Sequence, residues 1–391
     1  MRRGPHALER ALRVSLSTYQ RRWGTLPRLQ IDARADLGPN ARPDAVGLLR
    51  ERLGLPRQGG YDATLTARVR DFQQVHALPV SGLADRATLA ALNAGPDPYI
   101  SKIRLNIDRA SLLPRTKGRS VLIDAGSARL WMYEGDRVVG TMPVLVGKKE
   151  MSTPVLFGLI RYTVSNPYWN VPPDLVRDRI APVVLKKGPG YMSERRFEAL
   201  SDWSDSPQVL DPANIDWRRV KAGTLPLRVR QLPGGENMMG AIKFMSPNPL
   251  GIYLHDTPAK DLFATGRHYS SGCVRLWDAS RLGRWLFNGN LPVVRGNDVR
   301  TDLPTPVPVY IGYFTAFPVK DGVRFFPDVY GRDALIMSSG RPGGTERPAA
   351  TRLAVRRVPR AIAGPSFLPR KDRKVAGISP DAPGGDRGLQ I

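Results

Sequence analysis

A single cysteine and four histidines in 391 residues exclude two common sources of stability and chemistry. One thiol cannot close an intrachain disulfide, so cysteine usage does not report the redox compartment. With so few sulfur and imidazole ligands there is no credible zinc cluster, and neither a metal nor another cofactor is expected. Acidic residues are scarce as well. The chain has 35 of them against 59 basic ones, a formal charge of +24, which favours anionic partners: nucleic acid, a membrane surface or an acidic polymer. No apolar run is long enough for a transmembrane segment. The start, M-R-R-G-P-H-A-L-E-R-A-L-R-V-S-L-S-T-Y-Q, is basic but lacks the apolar stretch of about seven residues or more that a secretory leader needs. Taken literally, the chain is soluble and not exported.

The length suits two domains plus tails, and 41% hydrophobic residues suffice for ordinary cores. The chemistry concentrates in one stretch, G-I-Y-L-H-D-T-P followed after a short loop by H-Y-S-S-G-C-V-R-L-W. It holds the only cysteine, Cys273, and two of the histidines, His255 and His268. Only a thiolate attacks a carbonyl, so a free thiol needs a nearby base or positive charge. His255 ends the apolar run Ile252, Tyr253, Leu254, which reads as a strand delivering an oriented base. Gly272, just before the cysteine, permits a tight turn whose N–H groups can face a developing oxyanion. Arg275 offers a planar cationic fork suited to a substrate carboxylate.

Plainer readings exist for each residue. A lone cysteine is commonly a small buried hydrophobe, but the flanks S-S-G-C-V-R are polar and turn-forming where a core position would be apolar. His268 is nearer to Cys273 in sequence and is a rival base. His255 is preferred because a strand orients a side chain better than a loop does. Arg275 could be an ordinary surface cation.

With His255 and Cys273 18 positions apart, the pattern H-D-T … S-S-G-C-V-R resembles the L,D-transpeptidase catalytic domain, whose usual signature is H-G-T followed by S-H-G-C-I-R or S-H-G-C-V-N. The resemblance implies Cys273 as nucleophile, His255 as general base, Gly272 and Ser271 as the oxyanion turn, and Arg275 as the basic position after the nucleophile. Tyr253 and Ser270 join Arg275 as expected substrate contacts. Asp256 stands where the family has glycine, and Ser271 where it has histidine. Both departures fit the large periplasmic subgroup with an inserted lid, so the base is not sought at position 271.

Along the chain, residues 1–43 read as a helix (Leu8, Leu12 and Val14 to Leu16 on one side) and an extended arm, a remnant of a larger scaffold. Residues 44–95 read as three helices. Their stripes are Val46, Leu49, Leu53; Leu65, Val69, Phe72; and Thr88, Leu89, Leu92. The segment from Tyr61 through F-Q-Q-V-H-A-L to G-L-A-D-R-A-T-L-A-A-L-N resembles the peptidoglycan-binding type 1 domain. Those stripes would serve any small bundle, so binding rests on the resemblance, and His76 reads as a helix-end residue. A helix-like linker spans 96–118. From residue 119 the period becomes that of strands: Val121 and Ile123, Arg129 to Tyr133, and Val138 to Val146, separated by the turns D-A-G-S and E-G-D. V-G-K-K-E-M-S-T-P and N-P-Y-W-N-V-P-P then match the G-K-x-x-x-x-T-P step of the resembled domain.

Residues 174–240 read as a helix-forming insertion in the place of the subgroup's lid. A lid suits an acyl enzyme, because excluding water favours aminolysis over hydrolysis; the alternative is an insertion without a gating role. Strands resume at Ala241 to Met245, a helix follows at Ala279 to Leu286, and Pro306 to Phe317 with Val323 to Asp328 are expected to close the sheet. The catalytic domain is thus placed at 119–337. Y-F-T-A-F and D-V-Y-G-R-D match its end in the lidded subgroup. Residues 338–391, with eleven basic and four acidic residues, read as a disordered tail, either solvated or in contact with a polyanion or membrane surface.

The expected fold class is multidomain: a small three-helix peptidoglycan-binding module plus a mostly-β L,D-transpeptidase catalytic domain with a helical lid insertion. The resemblance implies a cell-wall enzyme of the periplasm or envelope that acts on stem peptides, resolves a Cys273 thioester with a second stem's amine, needs no cofactor and is sensitive to carbapenems. It also implies an export segment upstream, making Met1 a misplaced or truncated start. Three rivals stand: an L,D-carboxypeptidase or a catalyst attaching stems to an envelope protein, a non-catalytic wall-binding protein, and a nucleic-acid binder, for which no recognised motif exists.

Overall fold

The computed structural model describes residues 4–32 and 37–338; the expected tail lies outside the described residues from 339 onward. α1 (Ala7–Tyr19) buries Leu8, Leu12, Ser15 and Tyr19, while Val14, expected on the apolar side, faces solvent. A π-helical turn, Gln20–Gly24, follows. α2 (Pro43–Arg52), α3 (Ala63–Val75) and α4 (Arg86–Ala94) lie where the stripes place them. Proline opens α2 at a position whose N–H is not needed. Asp62 and Asp85 cap α3 and α4, each carboxylate accepting a backbone N–H at 2.8 Å.

α5 (Asp97–Ser111) occupies the stretch expected as a linker. It is packed rather than strung between domains: Ile103 and Asn106 are fully buried, and the helix lies against α1. The period-3.6 pattern is that of an integral helix, and a core on both sides accounts for it.

β1 (Arg119–Asp124), β2 (Arg129–Glu134) and β3 (Arg137–Gly147) form an antiparallel meander. In its first turn the buried Asp124 carboxylate accepts from Gly126 N–H (2.8 Å), Ser127 N–H (3.1 Å), the Ser127 hydroxyl (2.6 Å) and Phe314 N–H (2.7 Å). β4 (Leu156–Ser165) follows. The chain then leaves the sheet for residues 166–241, the insertion. It contains β5 (Trp169–Val171), α6 (Pro173–Leu175), a π-turn, α7 (Ala181–Lys187), α8 (Gly190–Glu194), β6 (Phe197–Leu200), β7 (Val209–Leu210), α9 (Trp217–Ala222) and β8 (Arg228–Gln231).

The main sheet resumes with β9 (Ile242–Met245) and β10 (Leu254–His255). α10 (Leu262–Thr265), β11 (His268–Ser270), β12 (Val274–Leu276), α11 (Ala279–Leu286) and β13 (Val299–Gly312) come next. Nine strands are ordered β11-β3-β12-β10-β9-β4-β13-β1-β2, and β2 pairs back to β3, so the sheet closes on itself. One face encloses Val121, Ile123, Val144, Phe244, Leu254, Val274 and Leu276 with Leu282 and Leu286 of α11. On the other face Leu122, Trp131, Tyr133 and Tyr310 share a single cluster with Leu12, Leu49, Leu65, Leu89 and Ile103 of the N-terminal helices. Truncating such a residue costs about 2–5 kcal/mol.

Two expectations change here. The segment around Val323 does not close the sheet: β14 (Ala316–Val319) and β15 (Gly322–Phe325) pair only with each other and pack on α1, where the Ser15 hydroxyl donates to Gly322 O at 2.7 Å. The insertion is not merely helical. β5, β8, β6 and β7 form their own four-stranded sheet over a separate core of Val171, Ile180, Val184, Trp217 and Val229. It therefore begins before position 174, since Trp169–Val171 belongs to its sheet. The chain ends its described course in α12 (Arg332–Ser338).

Candidate active site

The site is built on two short parallel strands. In β10 and β12, Leu254 pairs with Val274 and His255 with Arg275. Side chains alternate across a strand, so the core takes Leu254, Val274 and Leu276, and the opposite face carries His255 and Arg275. Two positions back along each chain, Tyr253 and Cys273 share that face. Tyr253 O accepts from Val274 N–H at 3.1 Å, continuing the pairing beyond the two-residue strand.

Cys273 is half-buried, and its thiol donates to Gly251 O at 3.7 Å. Burial pushes the thiol up, while the Tyr253 N–H and the Arg275 guanidinium pull it down. His255 is 1% exposed. Burial lowers its pKa to about 3, with Arg275 acting in the same direction and the Asp256 and Met239 carbonyls and the Asp256 carboxylate opposing. Its Nδ1 lies 2.5 Å from Asp256 O. A carbonyl only accepts, so Nδ1 carries the proton in the neutral ring and Nε2 is its basic nitrogen. Both shifts favour the uncharged forms of the thiol and the imidazole.

Arg275 is largely withdrawn from water, which lowers its pKa, and the Cys273 thiol and Tyr269 face it. Among the described residues it has no carboxylate partner, and its buried Nε has no hydrogen-bond acceptor. A withdrawn, unpaired guanidinium is costly unless an anion arrives to meet it.

The turn that leads into Cys273 differs from expectation in two respects. Gly272 does adopt the left-handed region, at φ +111°, where a side chain would be strained. Its N–H, however, is taken by Ser270 Oγ at 3.2 Å, so it is not a free oxyanion donor. Among the described residues the N–H groups of Ser271 and Cys273 are the ones without a protein acceptor. Ser270 is buried at 2%, and its hydroxyl also donates to Cys273 O at 2.6 Å. It braces the turn from within, with its proton and one of its two lone pairs engaged there. Ser271 is exposed.

His268 is held elsewhere. It lies on β11, beyond β3 from β12, with Nε2 2.9 Å from Ala125 O and its ring edge-on to Tyr330 at 5.6 Å. Asp256, in the family's glycine position, accepts from Ala241 N–H at 3.0 Å and from Lys260 Nζ at 2.8 Å. Lys260 also donates to Leu276 O and Trp277 O. The acid thus ties the end of the insertion to the strand bearing His255. Among the described residues no helix is long and apolar enough to cross a membrane, and no group of three or more His, Cys, Asp or Glu is placed to hold a metal ion.

A family model described as "L,D-transpeptidase catalytic domain" matches residues 118–309, and one described as "Putative peptidoglycan binding domain" matches residues 46–92. A Haemophilus influenzae (strain ATCC 51907 / DSM 11121 / KW20 / Rd) protein named "Putative L,D-transpeptidase" is 32% identical over 244 residues, covering 60% of this chain and 48% of the relative. This chain therefore spans about half the length of that relative. Among solved structures, an L,D-transpeptidase from Mycobacterium smegmatis is 12% identical with a TM-score of 0.25, covering 49% of this chain and 58% of that one. Another, residues 123–326 of an L,D-transpeptidase from Xylanimonas cellulosilytica DSM 15894, is 16% identical with a TM-score of 0.23, covering 73% and 98%.

Proposed function

We propose, for a chain that carries an L,D-transpeptidase catalytic domain behind a peptidoglycan-binding domain, that it cross-links peptidoglycan stem peptides through a thioester on Cys273. The observation that carries this reading is the common face of Cys273, His255 and Arg275 on paired strands. His255 Nε2 takes the thiol proton as sulfur adds to the carbonyl between the third residue, a diamino acid, and the terminal D-alanine of a tetrapeptide stem. The oxyanion meets the N–H groups of Cys273 and Ser271. The C–N bond breaks, the imidazolium returns its proton to the departing amine, and D-alanine leaves. A second stem's side-chain amine then attacks the thioester, loses its proton to His255, and restores the thiol.

Arg275 receives the donor's carboxylate, and Tyr253 lines the same cleft. The insertion serves as a lid hinged near Met239 to Ala241, where its end meets His255 and Asp256. The peptidoglycan-binding domain holds the enzyme on its polymer, which sets its place of work in the periplasm or cell envelope.

The test is incubation of the protein and its Cys273→Ala variant with disaccharide tetrapeptide, read by mass spectrometry. A cross-linked dimer lacking one D-alanine, formed by the wild type alone, is the expected product. Tripeptide without dimer makes the protein an L,D-carboxypeptidase. Stems found on an added envelope protein make that protein the acceptor. Unchanged substrate with both forms leaves a wall-binding protein and sinks the proposal.

A further inference from the structure

The Gly272 carbonyl is held by a residue distant in sequence. Thr153, fully buried, donates its hydroxyl to Gly272 O at 2.8 Å and accepts from Gly147 N–H at 2.8 Å. Tyr330 donates to Gly147 O at 2.6 Å and accepts from Thr153 N–H at 3.4 Å. Arg332 donates to Thr153 O at 3.0 Å, and Tyr313 accepts from Tyr330 N–H at 3.1 Å. Residue 147 must be glycine for this contact, since a Cβ there would stand 2.1 Å from Met151 O and 2.7 Å from Thr153 N. Tyr330 and Arg332 lie beyond residue 309, where the catalytic-domain match ends.

A peptide unit is planar, and in the trans form its C=O and N–H point in opposite directions. The Gly272–Cys273 peptide is trans. Fixing Gly272 O toward Thr153 therefore turns the Cys273 N–H the other way, and among the described residues that N–H has no acceptor. We infer that Thr153, backed by Tyr330, is a positioning residue that aims the Cys273 N–H at the oxyanion without touching substrate. The inference rests on the acyl-transfer reading above and adds to it the device that orients its oxyanion donor.

The test separates two reactions of the same thiol in the full-length protein. p-Nitrophenyl acetate acylates Cys273: sulfur adds to the carbonyl, an oxyanion forms, and p-nitrophenolate leaves. Iodoacetamide alkylates Cys273 by displacement of iodide at carbon, with no oxyanion. Thr153→Val is expected to lower the acylation rate roughly 10-fold or more while alkylation stays within about 2-fold, and Thr153→Ser to keep both near wild type. Should Thr153→Val not fold, Tyr330→Phe carries the comparison, with the same selective loss at smaller size. Acylation at the wild-type rate, or acylation and alkylation falling together, overturns the inference. Both rates use small probes and a thiol, so they decide the matter even if tetrapeptide incubation fails to give cross-links; that incubation alone judges the transpeptidase reading.

Discussion

Arg275 is the register partner of His255 across the parallel strands β10 and β12, and its guanidinium is withdrawn from water without a carboxylate partner among the described residues. A charge-assisted bond to a carboxylate contributes about 1.5–3 kcal/mol. Arg275→Gln is therefore expected to raise KM for tetrapeptide roughly 10- to 100-fold, with a smaller change in kcat. Arg275→Lys should recover only part, since a point charge lacks the fork. Steady-state kinetics across stem peptides with and without a free terminal carboxylate decide this: an equal effect on both removes the assigned role.

The surroundings of the thiol and of the imidazole both favour the uncharged form, which sets a pH signature. Burial raises the Cys273 thiol and lowers His255 to about 3. Alkylation by iodoacetamide needs the thiolate, so its rate should still be climbing above pH 8. Arg275→Gln should shift that rise further upward, because the guanidinium favours the thiolate. A plateau beginning below pH 7 would instead mean a preformed thiolate–imidazolium pair.

Local spacing made the site legible, and distance in sequence hid its supports. Cys273, Gly272 and Arg275 sit within four positions, and His255 ends a short apolar run, so the two paired strands that carry the candidate residues could be read directly. The brace Thr153 is 119 positions from Gly272, and Tyr330 is 183 from Gly147; no periodicity reports such a pair, although both stand inside quoted motifs, G-K-x-x-x-x-T-P and D-V-Y-G-R-D. The insertion's strands are two to four residues long, too short for alternation to distinguish them from turns. β15 alternates like any sheet strand, and only α1 and α3 packed beside it explain why it pairs with β14 alone.

His76 ties the helical module to the rest of the core. It stacks on Phe72 with ring centroids 3.8 Å apart and meets Tyr99 and Phe325 edge or face. Its Nδ1 bonds Phe72 O at 2.7 Å, so Nε2 accepts the Tyr19 hydroxyl at 2.9 Å. Burial lowers its pKa to about 4. The unfolded chain therefore takes up a proton near pH 6.5 that the folded one refuses, so stability is full above that pH and is lost as pH falls toward 4. Between pH 7 and pH 5 the loss from His76 is about 2 kcal/mol. Urea unfolding of the wild type and His76→Phe at both pH values measures it. Equal pH dependence in the two proteins removes the assignment.

A carbapenem offers a strained amide that Cys273 is expected to open by the addition proposed above, with no amine leaving. Intact-mass spectrometry of the folded, reduced protein should show one adduct of the full drug mass, absent from Cys273→Ala. The adduct should form more slowly in His255→Gln, which keeps the thiol but loses the base. No adduct on the wild type counts against the acyl-enzyme reading.

Asp256 replaces a glycine of the family signature and joins two parts of the protein that move separately if the insertion is a lid. Its carboxylate accepts from Ala241 N–H, where the insertion returns to the sheet, and from Lys260, which is anchored to Leu276 O and Trp277 O at the end of β12. The insertion has its own core around Trp217 and Val229, so loosening this tie need not unfold it. Asp256→Ala should cost about 1–3 kcal/mol locally and speed amide exchange at Ala241 and Ile242. It should leave exchange at Val229, inside the insertion's sheet, unchanged. If the tie keeps water from the thioester, the variant should also release more tripeptide per cross-link than the wild type. Faster exchange at Ala241 with an unchanged product ratio would leave Asp256 an anchor and deny the insertion a gating role at this end.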